Sequence, residues 1–402
     1  LEAIGHPTEK VELLILGGTW SAYPRAYQRW FVQRCLEALN GCEAPSLNSA
    51  QAANEGAGHR NVGMVIETRP DCISPSEIAH LRRLGVTKVQ LGAQSLDDEL
   101  LRRNRRGHKL SETQQAMRLL RAAGFKIVLH WMPNLLGATP QTDREDFARI
   151  WALEDVRPDE LKIYPTQLLP GTGLAESWQR GEYAPYTRPV LVDLLADIKL
   201  LIPRYCRVNR VVRDIPSHHV IEGNRRTSLR QDVLRTLAER GRQCSCIRCR
   251  EVRSGNVLET GLRPESISYA AAGGTEHFLA LETSEDRLAG YLRLWLPGEQ
   301  SPQPTLADLA QAGIIREVHV YGPSLPLGEP SNGAAQHAGL GARLVDWGER
   351  VAGQAGFPRV AVIAAIGTRP YYRRLGYHLG ESYMIKSLGS GGRRVRSSTE
   401  VH

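Results

Sequence analysis

The chain of 402 residues has no apolar run near the about 20 consecutive residues that a membrane-spanning helix needs. Leu1 opens no basic-then-apolar signal pattern either, so a cytoplasmic enzyme with no membrane partner is the expectation, and a start at a residue other than Met adds the expectation of a trimmed chain. Seven cysteines are an odd number and come without a secretory signal, which excludes a disulfide framework. Four of them, Cys35, Cys42, Cys72 and Cys206, are scattered and read as core or neutral thiols. Strong charge of one sign is also lacking, since 51 Lys and Arg face 43 Asp and Glu. What is present is length for two or three domains with real cores. The basic residues are also unevenly placed. Arg102, Arg103, Arg105 and Arg106 form one cluster, Arg204, Arg207, Arg210 and Arg213 a second, and a third runs from Arg225 and Arg226 to Arg253. Charge runs are usually solvated faces, but clusters of arginine rather than lysine favour phosphate recognition, because the guanidinium fork matches phosphate bidentately.

From Val11 to Pro165 short β-branched runs alternate with longer helical ones. Strands at this spacing imply a parallel sheet, open or closed into a barrel, whose working residues sit at the carboxyl ends of the strands. Polar or flexible residues stand at five such ends: Gly17-Gly18-Thr19, Glu67-Thr68-Arg69, Gln94-Ser95, His130, and Lys162 with Tyr164. Strand ends without a ligand to satisfy would be apolar or capped. Between Thr187 and Arg253 a helix ending at Pro203 leads to a strand-like stretch carrying Arg207, Arg210 and Arg213, where strand alternation gathers like-facing residues on one surface. Cys244, Cys246 and Cys249 follow. Their spacing fits zinc better than an iron–sulfur cluster, with His218 or His219 the nearest candidates for a fourth ligand.

The remainder reads as antiparallel strands, a strand through Ile314–Gly322, a Pro/Gly-rich loop, the turn Gln336-His337-Ala338-Gly339-Leu340-Gly341, an amphipathic helix, a second apolar strand, and Tyr371-Tyr372. A glycine-rich turn opening a helix offers free N–H groups and the positive dipole end to an anion, here the expected pyrophosphate of an acyl-CoA. This order resembles the Gcn5-related acetyltransferase pattern. Tyr371 and Tyr372 are candidates to orient a thioester, and Glu317 and His319 to polarise water.

The stretches LILGGTW, VIETRPD, LGAQS, NRRGH, LHWMPNLLG, LKIYPT with GTGL, RVVRDIP and REVHVYG together resemble, in order, the catalytic subunit of Elongator and its free-standing bacterial and archaeal relatives. The resemblance implies an α/β protein in which a partial TIM-like radical S-adenosylmethionine barrel is fused to an α+β Gcn5-related acetyltransferase domain. Its implied bounds are 1–186, a connecting region 187–261 with the basic strand and a structural zinc site, and 262–402. It implies 5-carboxymethyluridine formation at the tRNA wobble position from acetyl-CoA and S-adenosylmethionine, with Elongator-like subunits as partners. Gly17, Gly18, Thr19, Glu67, Arg69, Gln94, Ser95 and Lys162 would then meet S-adenosylmethionine. Arg105, Arg106, Arg207, Arg210, Arg213, Arg225 and Arg226 would meet tRNA. Gln336 to Gly341 with Tyr371 and Tyr372 would hold acetyl-CoA. One departure stands out: the Cys-x3-Cys-x2-Cys spacing that holds a [4Fe–4S] cluster is absent, which implies a barrel without its N-terminal cluster segment. Two other readings remain at this stage, a protein lysine acetyltransferase with the barrel as scaffold and a non-catalytic tRNA-binding module.

Overall fold

A computed structural model describes residues 4–212, 215–224, 228–252, 261–321 and 339–389. Arg213, Arg225, Arg226, Gln336, His337, Ala338 and the Pro/Gly-rich loop before Gln336 lie outside the described residues.

The first sheet consists of β1 (Lys10–Ile15), β2 (Arg60–Thr68), β3 (Lys88–Gln94), β4 (Lys126–Trp131), β5 (Glu160–Ile163) and β6 (Arg207–Arg210). All neighbours are parallel and the spatial order follows the chain. This is the half-barrel that the alternating strand and helix pattern predicts. The helices between strands have sequence-encoded starts and stops. Ser74 accepts from the Glu77 N–H with Pro75 behind it, and Gly85 ends that helix in the left-handed region at φ +94°. Thr139 and Thr142 cap each other at the next helix but two. Met64, Ile66, Val89, Leu91, Ile127, Leu129, Trp131, Leu161 and Ile163 are fully or almost fully buried under these helices in one core. Each such side chain contributes about 1.5–3 kcal/mol on leaving water.

The opposite face of the same strands carries a different composition. Glu12 and Leu14 on β1, Gly63, Val65 and Glu67 on β2, Lys88 and Gln90 on β3, Lys126 and His130 on β4, and Glu160 and Lys162 on β5 all line a cavity of ≈ 1030 Å³. Period-two alternation thus separates a greasy outer face from a charged bore. On β6 a spacing of three would send Arg207 and Arg210 to opposite faces. A bulge opposite the Leu161–Lys162 step pairs Arg207 with Glu160 and Arg210 with Lys162, so both arginines return to the bore. The basic strand expected in the connecting region is therefore the sixth strand of the first sheet.

The second sheet is mixed, in the order β12-β13-β11-β10-β9-β8-β7. Its strands are β7 (Arg263–Ala271), β8 (Gly274–Glu282), β9 (Leu288–Leu296), β10 (Ala312–Val320), β11 (Arg359–Val362), β12 (His378–Leu379) and β13 (Met384–Ser387). β10 and β11 are parallel, and their pairing stops at Ile315 and Val362 while β10 runs on to Val320. The helix Leu340–Gln354 packs Leu340, Leu344, Val345 and Ala352 into the second core with Leu292, Leu294 and Ile315. The strand beyond the split and the start of this helix consequently border an opening.

Buried charge joins the two sheets. Arg316, the extra residue of a β10 bulge, reaches Asp159 Oδ1 at 3.0 Å and Glu276 Oε1 at 2.7 Å. Arg121 pairs with Glu276 at 2.8 Å, and Arg293 with Glu317 at 2.9 Å. Close packing completes the joint: a Cβ on Gly124 would lie 2.8 Å from Ile314 Cγ2, and one on Gly85 2.9 Å from Ile366 Cδ1.

Candidate functional site

The bore opens at the carboxyl ends of β1 to β5, where Gly17, Gly18, Gln94, Met132 and Pro165 line it. Gly17 and Gly18 hold φ +109° and +133°, with no atom within 4 Å of where a Cβ would stand. An L side chain is strained in that backbone, so this turn is free for close approach by a ligand. Gln94 sits at φ +71°, and among the described residues its buried Oε1 has no hydrogen-bond partner. A strained residue with an unmet acceptor beside a cavity marks a binding position. Glu67 Oε1 lies 3.6 Å from His130 Nδ1. The Gln90 amide oxygen accepts from Lys162 Nζ at 2.5 Å and meets His130 Nε2 at 2.9 Å. Burial lowers the Lys162 pKa, against the pull of Glu67.

Deeper in the bore, at the amino ends of the strands, lies a layer of ions. Lys88 Nζ is 3.0 Å from Glu12, and Lys126 Nζ is 2.5 Å from Glu160 and bonded to Glu317. Glu317 also accepts from the Tyr291 hydroxyl at 2.8 Å. Burial opposes ionisation of Glu317, but Lys126 and Arg293 overcome it and set its pKa at about 2. A carboxylate so firmly ionised and engaged by Lys126, Tyr291 and Arg293 is a poor proton acceptor, so the water-polarising role expected of Glu317 is better matched by a structural one. His319 differs. Burial pushes its imidazole down to about 4, leaving it neutral near pH 7 and lining the cavity beside Tyr321 at a ring separation of 4.4 Å.

Beyond the ion layer the cavity continues between β10 and the chain after β11, lined by Val318, His319, Tyr321, Ala364, Ala365, Thr368 and Tyr372. Burial raises the Tyr372 pKa and keeps its phenol protonated. Tyr371 packs edge-on against Tyr372 at 5.2 Å. Its hydroxyl stands 2.8 Å from where a Gly341 Cβ would be. Gly339 holds φ +73° at the cap of the helix Leu340–Gln354. Gly341, Tyr371 and Tyr372 are thus in contact in series at a helix start whose first N–H groups have no intrahelical partner, and of these residues Tyr372 lines the cavity.

Other expected residues lie elsewhere. Thr19 caps a 3₁₀ turn through its carbonyl and does not line the cavity. Arg69 pairs with Asp71 at 2.8 Å. The Ser95 hydroxyl donates to Asp146 at 3.0 Å, in a buried cluster that also takes the Trp131 indole N–H. Arg105 is exposed at φ +52° just past the helix Asp98–Arg103, whereas Arg106 turns inward to the Gly92 carbonyl at 3.2 Å. Arg207 is engaged by Glu251 and, at 2.8 Å, by Tyr321. Sequence reasoning missed Gln90, Lys88, Lys126 and Glu160. A signal existed in the polar residues at alternate positions of strands that should be apolar on both faces in a covered parallel sheet.

Cys244, Cys246 and Cys249 are brought together, with their sulfurs within 4.8 Å of one another. No histidine joins them among the described residues, and the rings of His218 and His219 instead lie against each other at 4.1 Å, tilted by 45°. Hydrogen bonds from Cys244 and Cys249 lower the pKa of the central Cys246, with Lys199 adding to the effect.

A parallel half-barrel with glycines and polar groups at its strand ends defines a radical S-adenosylmethionine enzyme, here joined to a mixed sheet split between two parallel strands. Residues 1–149 match the Radical SAM superfamily and residues 158–239 the Radical_SAM C-terminal domain. A tRNA uridine(34) acetyltransferase of Dehalococcoides mccartyi is 43% identical over 96% of this chain and 85% of its own length. Elongator complex protein 3 of Homo sapiens is 36% identical over 96% of this chain and 72% of its own length. The solved structure of archaeal Methanocaldococcus infernus Elp3 with an N-terminus deletion (1-46) superposes with a TM-score of 0.89 at 38% identity, covering 96% of this chain and 92% of that one. The chain belongs to the family of the tRNA uridine(34) acetyltransferases and Elongator complex protein 3.

The radical fold implies S-adenosylmethionine and a [4Fe–4S] cluster. The open Gly17-Gly18 turn and the unmet Gln94 acceptor fit the former. The cavity lining contains no cysteine, and the cysteine trio lies outside it, so the residues present do not fit a cluster at the bore. Among the described residues no helix is long and apolar enough to cross a membrane.

Proposed function

We propose that the chain modifies uridine 34 of tRNA with a two-carbon unit from acetyl-CoA, giving 5-carboxymethyluridine. The observation that carries this reading is the single cavity running from Gly17, Gly18 and Gln94 to His319 and Tyr372, since the two ends suit the two small-molecule reactants that such a product requires. Gly17, Gly18, Glu67, Gln94 and Lys162 would hold S-adenosylmethionine. Bound there and given one electron by an external donor, since the lining residues hold no cluster to reduce it, it would be the radical source for a carbon–carbon bond to C5. The helix start at Gly339-Leu340-Gly341 would take the acetyl-CoA pyrophosphate, and Tyr371 would seat the chain. The Tyr372 phenol donates to the thioester carbonyl while neutral His319 takes a proton from the attacking water; the C–S bond breaks and coenzyme A leaves as its thiol. The wobble base has to leave its stack to reach the bore, and Arg105, exposed on the surface, would meet phosphate. Elongator-like subunits as partners follow from the names of the relatives alone.

The test is coenzyme A release from acetyl-CoA with and without tRNA. Stimulation of at least tenfold by a tRNA carrying uridine 34, absent with a tRNA carrying another base there, supports the reading; no stimulation sinks it. With His319 as proton acceptor, the acid limb of release falls near pH 4 rather than near 6.5, the ordinary histidine value. Tyr372→Phe is expected to lower kcat about 10- to 100-fold with KM for acetyl-CoA little changed.

The cysteine trio is assigned a zinc ion with no part in the chemistry. Three thiolates suit a soft divalent metal. The trio is also tied to both sheets: the Ile247 N–H donates to the Cys206 carbonyl beside β6 at 3.0 Å, and Arg287, just before β9, donates to the Cys249 carbonyl at 3.3 Å.

A further inference from the structure

Tyr321 stands directly after β10, its backbone N–H tied to the Ala289 carbonyl at 2.8 Å. Its partly buried ring lines the cavity beside His319, at a ring separation of 4.4 Å. Arg207 reaches it from the other sheet, the guanidinium Nη1 donating to the phenol oxygen at 2.8 Å. Chemistry fixes that direction, since a guanidinium has no lone pair with which to accept. A phenol carries one proton of its own, and accepting from Arg207 does not use it. Among the described residues nothing accepts that proton. Tyr291, which also lines the cavity, spends its own on Glu317 at 2.8 Å. Burial pushes the Tyr321 phenol up to about 12 against the pull of Arg207, so the proton is in place at neutral pH.

We propose that Tyr321 is a further catalytic residue, its O–H, backed by Arg207, donating to the thioester carbonyl oxygen as a second donor beside Tyr372. The inference rests on acetyl-CoA being the acyl donor. Groups that act on one carbonyl, a base through its water and a donor at the oxygen, stand within about 3 Å of the reacting atoms. Tyr321 adjoins His319, to which the attacking water gives its proton in this reading. The preceding residue, Val320, has its Cγ2 4.0 Å from where a Gly341 Cβ would be, so the same strand end borders the helix start assigned to the pyrophosphate. The electron count is simple. As the water oxygen adds to the carbonyl carbon, its proton passes to His319 and the C=O π pair moves onto oxygen. Collapse then breaks the C–S bond, and the sulfur leaves with the proton from His319. In between, the oxygen carries a full charge, and a phenol whose own oxygen accepts from a guanidinium is polarised to meet it. The first sheet thus acts on the acyl group through Arg207, a residue of β6.

The carbonyl itself can be read by infrared spectroscopy of acetyl-CoA carrying an isotope-labelled carbonyl carbon. Bound to the parent, its band should lie at lower frequency than in free acetyl-CoA. Tyr321→Phe keeps the ring against His319 and removes the donor, so at least half of that displacement should vanish with acetyl-CoA still bound. The same variant should release coenzyme A about 100-fold more slowly, at a KM for acetyl-CoA within about threefold of the parent. A ring-fluorinated tyrosine at 321 keeps the hydroxyl and makes it more acidic, and should move the band further. An unchanged band in Tyr321→Phe, or a parent band equal to that of free acetyl-CoA, overturns the proposal. Should Tyr321→Phe fail to fold or to bind, the fluorinated variant decides: further displacement supports the role and none overturns it. Should the parent bind no acetyl-CoA, the proposed function fails and this inference with it. A displaced band in a protein that tRNA does not stimulate removes the RNA reading alone and leaves Tyr321 in its role.

Discussion

Asp159→Asn is expected to cost about 3–5 kcal/mol of stability, the usual penalty for removing one partner from a buried ion network, and to lower the melting temperature by roughly 10 °C. Asp159 is fully buried, accepts the Ile127 N–H at 2.8 Å, and is the anion that Arg316 grips while Arg121 and Arg293 stand 3.6 Å away. Arg121, Arg293, Arg316 and Lys126 are matched by Asp159, Glu276, Glu317 and Glu160. The substitution leaves one uncompensated positive charge between the sheets. Glu99→Gln, which breaks an exposed pair with Arg102 on a surface helix, should change nothing measurable. Denaturant unfolding of the two variants tests the contrast; equal stability would mean that the joint is not set by this network.

The pH dependence has a defined sign. Burial raises the Asp159 pKa, but Arg316, Arg293 and Arg121 outweigh it and hold the carboxyl well below its ordinary range; Lys126 and Arg293 do the same for Glu317, at about 2. Folded values below unfolded ones mean stability present above about pH 4 and lost as pH falls through the folded values. His319 and His80, each pushed down to about 4 by burial, act in the same direction at higher pH. The unfolded chain binds their protons first, so stability starts to fall below about 6.5.

Much of this architecture was legible in the chain. Alternating β and α runs fixed the parallel sheet because outer-face residues such as Ile127, Leu129 and Trp131 leave no other way to bury apolar surface. Strand-end residues were found where a parallel fold puts them, and Gly17, Gly18, Gln94 and Lys162 do line the cavity. Ser95 and Arg69 were less legible because adjacency in sequence says nothing about which way a side chain turns after a strand ends. Ser95 turns to Asp146 and Arg69 to Asp71, partners that only the folded chain brings near. The arginine clusters misled in a similar way. Arg204 is drawn to Glu282 and Asp286, Arg240 to Asp193 and Asp197, and Arg250 to Glu282, so the packing of helices and sheets takes up charge that a linear reading assigns to RNA. The charged bore was hidden for a different reason. Its members come from all six strands of the first sheet, one or two from each, and no local window contains the pattern.

Gly341→Val is expected to raise the KM for acetyl-CoA about 10- to 100-fold while leaving the protein folded, the scale of losing one or two hydrogen bonds to a charged group. In the helix Leu340–Gln354 the position has no need of glycine for its backbone, since the left-handed residue is Gly339. What glycine supplies at 341 is space: a Cβ there would come within 2.8 Å of the Tyr371 hydroxyl. Valine would drive that ring away from the helix start and put a branched side chain over N–H groups that an anion must approach. If Tyr371 is what the new side chain displaces, Tyr371→Ala should relieve the clash. The double variant would then bind acetyl-CoA better than the sum of the two single effects predicts, a coupling that independent sites would lack. If Gly341→Val binds acetyl-CoA as the parent does, the helix start does not hold the pyrophosphate, and the acyl donor must be gripped elsewhere along the bore.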